Sequence, residues 1–118
     1  MNILFVTQLF PFKENDIRTS GALREFIENW AKEGYNIKVI RPHFAYKKEP
    51  FPKEPKFSIG NNIEVEFIKP IRIPLFKLSY YNKRKIINDL KFKSDILICH
   101  LYNSYFACHK IAKALNIP

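Results

Sequence analysis

The chain has 118 residues, 47% hydrophobic and 15% aromatic, with 20 lysines and arginines against 11 acids and a formal charge of +9. That length supports one domain with its own core, and no internal repeat marks a solenoid or a propeller. The charge points to nucleic acid, an anionic membrane surface or phosphorylated substrates, or is only a solvated surface, and does not choose among them.

The run "NILFVTQLFPF" lacks a basic leader and is interrupted by Gln8 and Pro11, so it does not read as a signal peptide, and no stretch approaches the roughly 18 apolar residues of a membrane span. Two cysteines, Cys99 and Cys108, are too few for a disulfide framework; their apolar neighbours predict reduced thiols and a cytoplasmic protein.

Along the chain, "NILFVTQ" (2–8) is a short apolar run rich in β-formers, as expected of a central strand buried on both faces of a parallel sheet. Residues 9–19 hold Pro11, Asn15 and Asp16 without a usable period and read as a long loop, a common setting for function. In "SGALREFIENWAKEG" the residues Leu23, Phe26, Ile27, Trp30 and Ala31 form the stripe of an amphipathic helix, with Ser20 as N-cap and Gly34 as C′ glycine. "YNIKVIRP" (35–42) is a second strand, which makes a right-handed parallel β-α-β unit.

Residues 43–62, with prolines 50, 52 and 55 and Lys47, Lys48, Lys53 and Lys56, read as a loop. "NIEVEFIKP" alternates Ile63, Val65 and Phe67 with Glu64 and Glu66, as in a half-exposed strand near a sheet edge. The following segment turns helical from about Ser79. "SDILICH" is another buried strand, and "NSYFACHKIAKAL" a helix with Tyr105, Cys108, Ala112 and Leu115 on one face.

The expected fold is therefore α/β: a Rossmann-like, doubly wound parallel sheet between helical layers, with strand order near 3-2-1-4. Its crevice lies at the carboxyl ends of strands one and four, at residues 8–21 and 100–104. The closing "NIP" normally leads into another strand, so the chain reads as the front half of a larger enzyme.

G-x-G-x-x-G and the P-loop motif are both absent, which removes nicotinamide enzymes and P-loop NTPases. The helix start at Ser20, Gly21 and Ala22 offers free N–H groups and a positive dipole end to a phosphate; alternatively Gly21 only permits the turn. Cys99, His100, Cys108 and His109 match no zinc spacing, and strand-to-helix geometry should hold the two pairs apart.

The stretch "NILFVTQLFPFKENDIRTSGALREFIENWAKEGYNIKVIRP", with its strand, Pro-containing loop, helix-start glycine and Gly-Tyr turn, resembles the opening of family 4, GT-B type glycosyltransferases. "SDILICHLYNSYFACHKIAKALNIP" is similar to their later strand, histidine and helix. The chain departs from the pattern with Ser20-Gly21 in place of two glycines, and with Ser94 in place of proline before Asp95.

The resemblance implies transfer of a sugar from a nucleotide-sugar to a polysaccharide or lipid-linked acceptor, with retention and without a metal or other cofactor. Residues 1–118 would be the acceptor-side domain, and the nucleotide-sugar domain would lie beyond them. The family's catalytic histidine and paired glutamates would also fall beyond Pro118, so no catalytic residue is expected in this stretch. Gly21 matches the glycine near the donor phosphate, and His100 the histidine on the cleft side of the fourth strand; His100 otherwise simply caps a strand.

Arg18 either meets an anionic acceptor or is solvated, and Tyr102 and Asn103 either meet sugar hydroxyls or, for Asn103, cap a helix. Lys83, Arg84 and Lys85, in a basic and aromatic segment, suit the inner face of an anionic membrane or form an outer helix face. The competing expectation is a non-enzymatic module that binds membrane or nucleic acid through this basic face, although no nucleic-acid-binding signature supports the latter.

Overall fold

A computed structural model describes residues 1–10, 21–43, 51–69, 71–73, 78–80, 92–100 and 105–118. The elements are β1 (Asn2–Val6), α1 (Gly21–Lys32), β2 (Asn36–Pro42), β3 (Lys56–Ile59), β4 (Ile63–Ile68), β5 (Ile71–Ile73), β6 (Leu78–Tyr80), β7 (Ile96–Cys99) and α2 (Tyr105–Leu115). A five-stranded sheet runs β3-β4-β2-β1-β7, and β5 and β6 form a separate antiparallel pair. β1 pairs in parallel with β2 and β7, β2 in parallel with β4, and β3 antiparallel to β4. The parallel strands thus stand in the order expected from the sequence, and the mixed α/β arrangement is compatible with a Rossmann-like fold.

The alternation of strand residues divides the core between the two faces. Ile3, Phe5, Ile37, Val39, Ile63, Val65 and Phe67 face Leu23 and Ile27 of α1. Leu4, Val6 and Ile40 face Cys108 and Ile111 of α2. Ile68 and Leu97 pack beside them, and another part of that second face is ionic. Lys38 Nζ lies 3.0 Å from Glu64 Oε1 and 3.1 Å from Glu66 Oε2, and Lys56 Nζ lies 3.2 Å from Glu66 Oε1. The register creates this cluster, since Lys38 pairs with Glu64 and Lys56 with Glu66 across neighbouring strands. The contact to Glu66 Oε2 is an ion pair without hydrogen-bond geometry.

α1 and α2 stop by the same device. Gly34 takes φ 90°, with Gly34 N–H donating to Ala31 O and Tyr35 N–H to Trp30 O. Asn116 takes φ 53°, and Ile117 N–H donates to Ala112 O. A left-handed residue at C′ satisfies carbonyls that the last helical turn leaves open, and Gly and Asn adopt it at least cost.

The structure corrects several expectations. Within 43–62, residues 56–59 form β3, because Phe57 and Ile59 point to the α1 side, where the core accepts them. β4 therefore lies one strand in from the edge, and Glu66 is buried against two lysines. Ser79 belongs to β6, which pairs with β5; the rest of the helix expected from about Ser79 lies outside the described residues. β7 is an edge strand in this sheet, with Ile96 37% exposed and Cys99 exposed as well; the outward Leu97 N–H donates to Pro118 O. Phe26, expected inside, is 48% exposed and rests on the Trp30 ring at 4.3 Å. Among the described residues no helix is long and apolar enough to cross a membrane.

Two substitutions check this packing by urea denaturation. Ile27→Ala leaves a cavity beneath α1 and should cost about 2 to 5 kcal/mol, against less than about 1 for Phe26→Ala on the exposed side. Lys38→Ala leaves the buried Glu66 carboxylate with the half-exposed Lys56 as its remaining partner and should cost up to about 3 to 5 kcal/mol, most of it recovered in the apolar pair Lys38→Met with Glu66→Leu.

Candidate functional site

The order of the parallel strands reverses at β1, which has β2 on one side and β7 on the other. α1 covers one face of the sheet and α2 the other. At such a reversal the connections leave β1 and β7 towards opposite faces, and a crevice opens at the carboxyl ends. Backbone bonds carry the ladder to that rim: Thr7 N–H donates to Ile40 O at 3.0 Å, His100 N–H to Val6 O at 2.9 Å, and His43 N–H to Ile68 O at 2.9 Å. Thr7, Gln8, His43 and His100 consequently leave the sheet side by side.

His100 is held from two directions. Its Nδ1 lies 3.0 Å from Thr7 Oγ1, and its ring lies 6.0 Å from that of Phe5. The Thr7 hydroxyl accepts the Leu9 N–H at 3.2 Å, which leaves its own proton to offer. Donation of that proton to Nδ1 selects the tautomer with the ring proton on Nε2, a donor for a ligand hydroxyl.

On the other side of β1, Arg41 Nε donates to Gln8 O at 2.9 Å, and the guanidinium lies 5.3 Å from the Phe67 ring centre. Both residues are buried. The bond fixes the backbone of Gln8, while the Gln8 side-chain nitrogen Nε2 is buried without a hydrogen-bond partner. A buried amide donor left unmet is costly, and in a native protein such a group asks for a function or a ligand.

Gly21 is the first residue of α1. A Cβ placed there meets no atom of the described residues within 4 Å, and its φ is not in the left-handed region. Backbone geometry therefore does not require glycine at this position. Arg18, Ser20, Tyr102 and Asn103 lie outside the described residues, as do Lys83, Arg84 and Lys85 of the basic segment. Of the expected crevice residues, the structure places Gly21 at the helix start and His100 on the rim. Thr7, Arg41 and His43 were not anticipated there; the available signal was a polar residue at the end of an apolar strand.

Cys99 and Cys108 do not stand apart as expected. Burial, and after it the neighbouring Cys99 thiol, pushes the Cys108 thiol up from its ordinary pKa. Among the described residues, no three His, Cys, Asp or Glu side chains gather as a metal site would need.

An open cavity of about 380 Å³ lies at the amino ends of the strands, lined by Asn2, Asn36, Ser58, Asn62, Glu64 and Phe92. Three of its four asparagines already serve the fold. Asn2 Nδ2 donates to Lys93 O, Asn36 Nδ2 to Asn2 Oδ1, and Asn62 Nδ2 to Ala31 O. Ser94 Oγ, ahead of β7, is also buried without a hydrogen-bond partner; Gln8 Nε2 belongs to the carboxyl-end rim, where Thr7, Arg41 and His100 gather, and that end is the candidate site.

Thr7→Val keeps the shape of the side chain and removes the hydroxyl. It should cost about 1 to 3 kcal/mol in chemical denaturation and shift the ring-nitrogen resonances of His100, with Thr7→Ser restoring both.

No family model matches the chain, and neither does any curated protein or solved structure.

Proposed function

We propose that this chain is the N-terminal, acceptor-side domain of a GT-B type glycosyltransferase that moves a sugar from a nucleotide-sugar to a polysaccharide or lipid-linked acceptor. The observation that carries the reading is Gly21: a glycine at the start of a 12-residue helix, beside the strand-order reversal, which neither φ nor local crowding demands. A glycine at such a place lets a ligand approach the free backbone N–H groups closely.

In this reading the sugar donor's diphosphate lies against the α1 N-terminus. When the glycosidic bond to the donor breaks, charge collects on the diphosphate. Backbone N–H groups and the helix dipole stabilise it more than they stabilise the bound donor, which is what lowers a barrier. Gln8 Nε2 adds a buried donor to the same crevice, in a setting where each hydrogen bond counts for more than in water. In the tautomer that accepts the Thr7 proton at Nδ1, His100 offers its Nε2 hydrogen to a sugar hydroxyl, and Thr7 holds the ring in place. Orientation of the acceptor hydroxyl against the anomeric carbon is then the contribution of this domain. The reading requires a donor-side domain to complete the cleft.

The test is nucleotide release by the full-length protein across a panel of uridine and guanosine diphosphate sugars. Gly21→Ala should leave the unfolding midpoint unchanged or slightly higher, because Ala favours a helix, and should lower kcat/KM by about ten- to a hundredfold. Absence of release from every donor, or an unchanged kcat/KM in Gly21→Ala, overturns the proposal.

A further inference from the structure

The open cavity of about 380 Å³ stands at the end of the sheet opposite the crevice. Small-molecule sites span roughly 300 to 1,000 Å³ and have mostly apolar walls. This wall is mostly polar: Asn36, Ser58, Asn61, Asn62 and Glu64 line it, with Asn2 beside Asn36, and Phe92 supplies an aromatic ring. Register explains the row. Asn2 stands opposite Asn36 across β1 and β2, and Glu64 opposite Ser58 across β4 and β3. Four neighbouring strands thus each set one polar side chain on the same face, at the same end.

Bonds within the fold hold part of this wall in place. Asn2 Nδ2 donates to Lys93 O at 2.7 Å, and Asn2 Oδ1 accepts from Asn36 Nδ2 at 3.1 Å, so the two amides are braced together. Asn62 Nδ2 donates to Ala31 O at 3.3 Å. Among the described residues, the Asn61 amide and the Ser58 hydroxyl enter no hydrogen bond. Nor does the turn require asparagine at 61: Gly60 carries the positive φ, 58°, and Asn61 does not share it. The cavity does not suit an anion, because no lysine or arginine lines it and Glu64, with Oε1 3.0 Å from Lys38 Nζ, adds a carboxylate.

We propose that this cavity binds a neutral sugar unit of a glycan, at the end of the sheet opposite the candidate crevice. The proposal is independent of the transferase reading. A sugar ring carries several hydroxyls, each both donor and acceptor, and a wall of amides, a hydroxyl and a carboxylate matches that mixture. The braced Asn2 and Asn36 amides are positioned before the ligand arrives, which lowers the cost of ordering them. The C–H face of the ring is apolar and suits Phe92, a half-buried residue that belongs to neither apolar core. A nucleobase would also stack on an aromatic ring, but it offers hydrogen-bonding groups only along its edges and would leave most of the polar row unmet.

The test is NMR of the full chain, backbone and side-chain amides together, titrated with a panel of neutral methyl hexosides and N-acetylhexosamines, and with uridine and inorganic phosphate for comparison. At least one sugar should give saturable shifts gathered at Asn36, Asn61, Asn62 and Glu64. Asn61→Ala removes an amide that the fold does not bond; it should keep the unfolding midpoint and weaken that sugar at least about fivefold. Phe92→Leu, which keeps apolar bulk without the ring, should weaken it as well. Saturable sugar shifts confined to Thr7, Gln8 and His100 overturn this site while leaving the transferase reading standing. No saturation with any sugar of the panel, tighter binding of uridine or phosphate at the same amides, or unchanged affinity in Asn61→Ala each overturn it too.

Discussion

Parallel pairing of β1 with a neighbour on each side is the constraint from which the rest of the molecule follows. A strand flanked on both edges has no solvent-facing edge, and a parallel sheet needs cover on both faces. Leu4 and Val6 are fully buried on one face, and Ile3 and Phe5 nearly so on the other. α1 meets the second set and α2 the first, and the chain must leave β1 and β7 at the same end of the sheet. The crevice is thus a consequence of strand order, and its residues are those that follow the last buried position of each strand.

The two faces are not equivalent. Beneath α1 the core is apolar from β1 through β4, with Phe57 and Ile59 of β3 packed against it. Beneath α2 it is apolar at Leu4, Val6 and Ile40, with Ile68 and Leu97 packed beside them, then gives way to Lys38, Glu64, Glu66 and Lys56. Buried charges of this kind add little net stability over apolar replacements, but each member is costly to lose alone. Their alternation across β2, β4 and β3 also penalises a register slip, because a one-residue shift would set lysine and glutamate against the α1 core.

The sequence was most legible where local pattern and tertiary environment agree. β1 reads as a strand because it is apolar on both faces, and α1 reads as a helix because Leu23 and Ile27 recur at helical spacing and Gly34 ends it. β3 was hidden: Pro50, Pro52, Pro55 and the nearby lysines resemble a loop, and what makes residues 56–59 a strand is pairing with β4. Glu66 looked exposed because its partners Lys38 and Lys56 come from other strands. The same reason conceals most of the crevice. Gly21 and His100 stand out by position, but the contact between Thr7 and His100 joins residues 93 apart in the chain, and the bond from Arg41 to Gln8 joins residues 33 apart. The unmet donor on Gln8 and the ordinary backbone of Gly21 are properties of coordinates alone. Cys99 and Cys108 looked like two small hydrophobes, and only the packing of α2 on β7 reveals them as neighbours.

The central claim is that the carboxyl ends of β1 and β7, with the start of α1, form the ligand site. Backbone amide NMR of the folded protein during titration with uridine diphosphate tests it most directly. The account predicts saturable shifts gathered at Thr7, Gln8, Gly21 and His100, with Asn2, Asn36 and Asn62 at the opposite end of the sheet unmoved. Shifts gathered at those asparagines, or none at millimolar nucleotide, would contradict it.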